Sequence, residues 1–335
     1  MSELILSEIK DNVFYITLNN PSSQNTLSLD IINTLNEIIL NSAKNNEIKV
    51  IIIRSVGKIF SAGHNLKEIS LHRQDADQGL KFFTTLISSC SNLMLNILNN
   101  PKPVIAEVNG VATAAGCQLV ASCDLAYASD KAYFATPGVN IGLFCSTPMV
   151  ALSRVARNKH SMEMLLTGDM IDAKKAKQIS LINNYFDENS LSKEVSLIAK
   201  KITSKSSLTI KIGKKAFYAQ SQMNIEDAYK YSSEIMIKNM MEYDAEEVEE
   251  GYITFPGFDG GYDVSNSRFF ALTKGEGQGW SWGLEPYEDE LYLTLAKIFG
   301  SYSWTIYLYE NTADSEERLC IYVSEDSIET EVFEP

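Results

Sequence analysis

Apolar positions in the first three quarters of the chain follow two alternating rhythms. Short continuous runs at Val13–Leu18, Lys49–Arg54, Pro103–Val108 and Leu125–Ser129 predict buried strands. Between them, apolar residues recur at helical spacing. Ser28, a residue type that caps helices, precedes Ile32, Leu35 and Ile39. Phe83, Leu86, Cys90, Leu93 and Ile97 share one face of a long predicted helix that Pro101 stops. From Ser161 to about Tyr243 the pattern is mainly helical. Strands separated by crossover helices predict an α/β body with parallel pairing. The opening residues, through Leu18, read as a first strand.

Beyond residue 250 the rhythm changes. Phe255–Gly260 is rich in turn residues, and Phe269–Thr273 and Trp280–Leu284 read as strands around a Gly-Glu-Gly-Gln-Gly turn. Glu288–Phe299 is a predicted helix that Gly300 can close, and Trp304–Tyr309 and Leu319–Val323 are predicted strands. The expected organisation is therefore a body over 1–250 and a small α+β domain over 251–335.

Charge sharpens this division. The whole chain carries a net charge of −14, yet from Glu246 onward there are 20 Asp and Glu against 4 Lys and Arg. The body is near neutral and the tail strongly acidic. Such a tail repels nucleic acid and attracts basic protein surfaces. It reads either as an interaction, immunity-like or inhibitor module with a basic protein partner, or as a solvated appendage.

Composition excludes several classes. The chain is 45% hydrophobic and 21% charged, as globular proteins are. No apolar run reaches the ~18 residues of a membrane span. The start has no basic stretch followed by an apolar one, so a cytoplasmic location is expected, with the mitochondrial matrix possible only after loss of a transit peptide. Five cysteines without a Cys-x-x-Cys pair and three scattered histidines point to no disulfide framework and no metal site.

The chemistry is concentrated in two turns. One is Phe60-Ser61-Ala62-Gly63-His64-Asn65-Leu66-Lys67-Glu68, after the Lys49–Arg54 strand; the other runs from Asn109 through Gly116-Cys117-Gln118, after the Pro103–Val108 strand. Small residues let a ligand approach the backbone, and helix N-termini present unpaired N–H groups to negative charge. Two such groups converging on one point make an oxyanion hole.

These turns, with NNPSSQNTLS at 19–28, KPVIAEVNGVATAAGCQLVASCDLAYAS at 102–129, FATPGVNIGL at 134–143 and MEMLLTGDMIDAKKAKQISLI at 162–182, resemble the enoyl-CoA hydratase/isomerase (crotonase) superfamily over residues 1 to about 247. The resemblance implies a crotonase (ClpP-like) ββα superhelix with C-terminal helices, acting on a coenzyme A thioester as substrate with no resident cofactor. It implies that the N–H groups of Ala62 and Ala115 form the oxyanion hole. Ala62, Gly63, Asn65 and Leu66 would hold the adenine end of coenzyme A, and residues after Ser206 would build a homotrimer, often paired into a hexamer. The two glutamates with which the family's hydratases handle water fall on Gln118 and Gly138, neither of which titrates. His64 is then a base, a proton donor, a carboxylate binder or a residue that holds the turn. Cys145 falls where methylmalonyl-CoA decarboxylases of the family place a tyrosine. Two readings follow: an acyl-CoA-processing lyase or isomerase of fatty acid metabolism with an unconventional proton-transfer group, or an inactive acyl-CoA-binding regulator.

Overall fold

The protein is described by a computed structural model covering residues 4–241 and, beyond them, the backbone of five strands between 269 and 333. The chain separates into two compact units, Met1–Ile235 and Met236–Pro335.

The first unit opens with a hairpin. Strands β1 (Ile5–Lys10) and β2 (Val13–Leu18) pair antiparallel around Asp11 and Asn12, which have φ of 51° and 61°. Asp and Asn tolerate positive φ, and two such residues give the turn whose twist suits a hairpin. The single first strand expected from the sequence is thus two.

Helix α1 (Leu29–Ser42) begins at Ser28, whose hydroxyl accepts from the Ile31 N–H. Its buried face carries Ile31, Ile32, Leu35 and Ile39. Each such side chain contributes about 2 kcal/mol by leaving water. Strands β3 (Val50–Ser55) and β4 (Ile59–Ser61) follow, then α2 (Leu66–His72) and α3 (Leu80–Asn99). Next come β5 (Val104–Val108), β6 (Val111–Thr113), α4 (Ala115–Ser122), β7 (Leu125–Ser129) and β8 (Tyr133–Ala135). The unit is completed by α5 (Ser146–Val155), α6 (Asn158–Thr167), β9 (Ile171–Asp172), α7 (Ala173–Gln178), β10 (Asn184–Phe186), α8 (Leu191–Thr203), α9 (Ser207–Gln220) and α10 (Ile225–Met240), whose last residues run into the second unit.

Two sheets result. The larger has the order β1-β2-β3-β5-β7-β10, parallel from β2 onward. The smaller has the order β4-β6-β8-β9, with β4, β6 and β8 parallel. Long strand, short strand, then helix: β3-β4, β5-β6 and β7-β8 each give one strand to each sheet before a helical stretch. This is the ββα superhelix expected from the resemblance. The short strands have no signature of their own, since three residues are too few to display a period.

In the second unit, β11 (Phe269–Thr273), β12 (Gly279–Gly283), β13 (Trp304–Tyr309), β14 (Arg318–Val323) and β15 (Ile328–Phe333) form an antiparallel sheet ordered β12-β11-β13-β14-β15. The strand β15 was not expected: three polar residues in a row, Glu329, Thr330 and Glu331, break the alternation that marks a strand. The turn at 255–260 and the helix at 288–299 lie outside the described residues.

Candidate active site

The smaller sheet positions the site. Its parallel strands β4, β6 and β8 lie side by side, with Ser61 opposite Ala112 and Thr113 opposite Ala135. The residues that follow their C-terminal ends, His64 after β4, Ala115 after β6 and Thr136 after β8, therefore lie at one end of this sheet. Ligand sites gather at such carboxyl ends of parallel strands.

The two turns are in contact through their glycines. A Cβ on Gly63 would stand 2.9 Å from the Ala114 Cβ, 2.9 Å from the Thr113 carbonyl oxygen and 3.1 Å from the Ala115 nitrogen. Gly63 also has φ +83°, which favours glycine. A Cβ on Gly116 would stand 2.3 Å from the Ser61 carbonyl oxygen. Ala114, at φ 51° and ψ −118°, occupies a backbone region unfavourable to a residue with a Cβ. Its N–H donates to the Ala135 carbonyl at 3.0 Å, which ties the strained residue to β8. This bend starts α4 at Ala115, whose N–H is among those a helix start leaves without an intrahelical acceptor.

One expectation is corrected here. The Ala62 N–H donates to the Gln24 carbonyl at 3.1 Å, so it is not open to a ligand. The Gly63 N–H donates to the Ser61 hydroxyl at 3.3 Å. The next N–H, that of His64, has no hydrogen-bond acceptor among the described residues. The donor available on this turn is His64 rather than Ala62. The reason lies in the loop 19–28, which braces the turn from below. Leu27 N–H donates to the Gly63 carbonyl at 2.8 Å, and the buried Asn25 amide donates to the Val56 and Ile59 carbonyls at 2.9 and 2.7 Å. A strand-like pairing of this kind was not visible in the sequence.

The His64 side chain is fixed as well. Its Nδ1 lies 3.3 Å from the Leu27 carbonyl oxygen, and a carbonyl only accepts, so the ring proton is on Nδ1. Nε2 is then a lone pair, buried and without a partner. Burial lowers the His64 pKa from its ordinary 6.5, against a smaller opposing effect of the Leu27 hydrogen bond. The ring is neutral at pH 7.

Among the described residues four buried side-chain polar atoms have no hydrogen-bond partner, and three are at this junction: His64 Nε2, Gln118 Oε1 and Thr136 Oγ1. Gln118 stands on the first turn of α4, its N–H donating to the Ala114 carbonyl at 3.0 Å. Thr136 follows Ala135 directly. Buried polar atoms are nearly always paired, so three open ones together mark a place for ligand or water. Thr136 was not singled out from the sequence, because a lone threonine before a proline carries no signal.

Position 138 has no room for a side chain. A Cβ on Gly138 would stand 2.2 Å from the Leu143 carbonyl oxygen and 2.9 Å from the Cys145 sulfur. Cys145 thus fills the space beside Gly138. Burial raises its pKa, an effect that a hydrogen bond with the Gly138 backbone opposes. Cys117 is pushed up to about 12, by burial first and the neighbouring Cys145 second. Both thiols stay protonated near pH 7, so neither serves there as a base or thiolate nucleophile. Asn65 caps α2, its side-chain oxygen accepting from the Lys67 and Glu68 N–H groups at 3.1 and 3.4 Å, and Leu66 is exposed beside it. That oxygen, being engaged as a cap, is not a free contact for a nucleotide.

The chain is similar to known proteins over this whole unit. The family model Enoyl-CoA hydratase/isomerase matches residues 8–256. Enoyl-CoA hydratase domain-containing protein 3, mitochondrial, of Rattus norvegicus is 46% identical over 244 residues, covering 73% of this chain and 80% of that protein. The crystal structure of the human protein of that name has a TM-score of 0.70 at 44% identity, covering 74% of this chain and 96% of the other. An enoyl-CoA hydratase structure from Mycobacterium smegmatis has a TM-score of 0.71 at 39% identity, covering 74% and 95%. Sequence, fold and the paired turns agree, and the chain belongs to the enoyl-CoA hydratase/isomerase family.

Proposed function

We propose that the chain binds an acyl-CoA thioester with its carbonyl oxygen on the N–H groups of His64 and Ala115, and that the His64 ring moves a proton at the adjacent carbon. The observation that carries this reading is the His64 residue itself. Among the described residues its N–H and its Nε2 are both without partners, and the residue before it, Gly63, packs against the start of α4. Stabilising charge on the thioester oxygen makes the neighbouring C–H acidic, and a neutral imidazole lone pair is suited to take that proton. The electron pair passes into the enolate, and the two N–H groups hold its oxygen. Exposed Leu66 and Leu71 on α2, with Ile141, Leu143 and Phe144 after β8, supply apolar surface on segments that follow the site strands. This suits an acyl chain or the pantetheine arm.

Water addition by a glutamate pair is not the chemistry proposed. Gln118 does not titrate, and the crowding at Gly138 leaves no place for a second carboxylate. The same two facts favour a second reading, an acyl-CoA-binding regulator without turnover.

A homotrimer, alone or doubled to a hexamer, fits the C-terminal helices. Among the described residues no apolar side chain of α9 is buried and only Ala228 of α10 is, while Phe217, Tyr229 and Ile237 are exposed. The acidic region beyond residue 246 suits a basic protein surface. The mitochondrial names of relatives favour the matrix.

A panel of saturated, 2-enoyl, hydroxyacyl and malonyl-type CoA thioesters, with mass spectrometry of the products, tests the reading. Turnover of at least one thioester, lost in His64→Ala, supports it. Saturable binding with no turnover selects the regulator, and absence of binding overturns both.

A further inference from the structure

The fourth buried polar atom without a partner lies away from this site. Glu107 is on β5, is 6% exposed, and its Oε2 has no hydrogen bond. It lines a cavity of about 550 Å³ with Leu6, Glu8, Thr17, Arg54 and Val56 among its neighbours. Strand alternation explains the cluster. Tyr15, Ile52 and Ile105 pack against Leu191, Val195 and Ala199 of α8 on one face of the larger sheet. Two residues further along each strand, Thr17, Arg54 and Glu107 continue that face at the carboxyl ends of β2, β3 and β5. Thr17 is opposite Arg54 in register, and the pairing of Ile53 with Ala106 brings Arg54 beside Glu107.

The charges are unevenly satisfied. Arg54 donates from Nε to the Thr17 hydroxyl at 3.0 Å and from Nη2 to Glu8 at 2.8 Å, and it lies 4.6 Å above the centre of the Tyr15 ring. Its cation is matched by Glu8. The buried Oε2 of Glu107 keeps no hydrogen-bond partner among the described residues. Burial is the largest influence on Glu107 and raises its pKa; the charge of Arg54 and a hydrogen bond from Ser192 oppose this without reversing it. A cation entering the cavity would favour the carboxylate form that burial disfavours. Among the described residues no group of three His, Cys, Asp or Glu is placed to hold a metal ion. A donor N–H is what the open oxygen lacks, and Leu6 and Val56 offer apolar surface for a short carbon chain.

We propose that this cavity is a second ligand site, which takes a small primary ammonium with Glu107 as its anionic anchor. It is independent of the acyl-CoA reading, because none of its residues belongs to the turns at 60–68 and 109–118.

The test uses the full chain and three probes of like size: n-propylammonium chloride, propan-1-ol and sodium propionate. Binding is followed by ligand-observed NMR and by the thermal midpoint. Saturable binding of n-propylammonium is expected, weaker by about tenfold or more in Glu107→Gln, with the alcohol and the carboxylate binding no better than that variant binds the amine. Should Glu107→Gln not fold, Val56→Trp at the half-exposed rim blocks the cavity and is expected to abolish binding. Undiminished binding in a folded Glu107→Gln or in Val56→Trp would overturn the proposal. So would equal binding of propionate, or no saturable binding of the amine by the wild-type chain.

Discussion

The Nδ1 of His64 lies 3.3 Å from the carbonyl oxygen of Leu27, and this contact decides which ring nitrogen is open. Because Nδ1 carries the proton, Nε2 is left as an acceptor in a buried position. The pH dependence follows with a definite sign. The folded pKa of His64 is below its unfolded value near 6.5, so between the two the unfolded chain binds more protons. The stability that this neutral histidine contributes is complete above pH 6.5 and is lost as pH falls through the folded pKa. Thermal midpoints of wild type and His64→Gln should therefore converge below pH 6.5, and the wild-type rate should keep its base form to a lower pH than a free histidine would.

Gly63→Ala should be severe for so small a change. The new methyl would meet the Ala114 Cβ and the Thr113 carbonyl at 2.9 Å, on a backbone at φ +83°. A loss of about 2 kcal/mol or more is expected from denaturant midpoints, with weaker acyl-CoA binding because the two N–H groups separate.

Restoring the family's glutamates should not restore hydration. Gly138→Glu would drive its Cβ to within 2.2 Å of the Leu143 carbonyl oxygen. Both Gly138→Glu and its combination with Gln118→Glu should be less stable than wild type and should add no crotonyl-CoA hydration in a spectrophotometric assay.

Helix α9 is held by polar contacts in place of buried apolar ones. Lys214 donates to Asp124 at 2.7 Å and to the Ile97 and Lys102 carbonyls at 3.1 and 3.0 Å, while Tyr218 donates to Asp124 at 2.9 Å. The Lys214 side chain is only 8% exposed. Lys214→Ala leaves the partly buried Asp124 without its cation, with Tyr218 and the Val104 N–H as its remaining donors, and should cost about 2 kcal/mol. If the C-terminal helices build the assembly, the same change should lower the mass seen by light scattering.

The body was legible in the sequence where periods were long enough. Ser28 and the Ile32, Leu35 and Ile39 face gave α1, and the Leu125–Ser129 run gave β7 at its observed bounds. The smaller sheet was not legible, since β4, β6 and β8 have three residues each. Yet that sheet aligns His64, Ala115 and Thr136. The two turns could be found from their glycines and small residues, but not which N–H was open. That depended on Gln24, thirty-eight positions from Ala62, whose carbonyl accepts the Ala62 N–H. The strain at Ala114 was likewise invisible, because nothing in an alanine announces a positive φ.

The central claim is that one residue offers an N–H to the thioester oxygen and a lone pair to the neighbouring carbon. His64→Ala separates the two, since it removes the ring and keeps the N–H. The most direct measurement is exchange of the α-protons of butyryl-CoA in deuterated water, followed by mass spectrometry. Wild type should incorporate deuterium at the α-carbon, whereas His64→Ala should bind the thioester with similar affinity and exchange no faster than buffer. Equal exchange by both proteins, or none by a wild type that binds the thioester, would contradict the assignment of His64 as the proton acceptor.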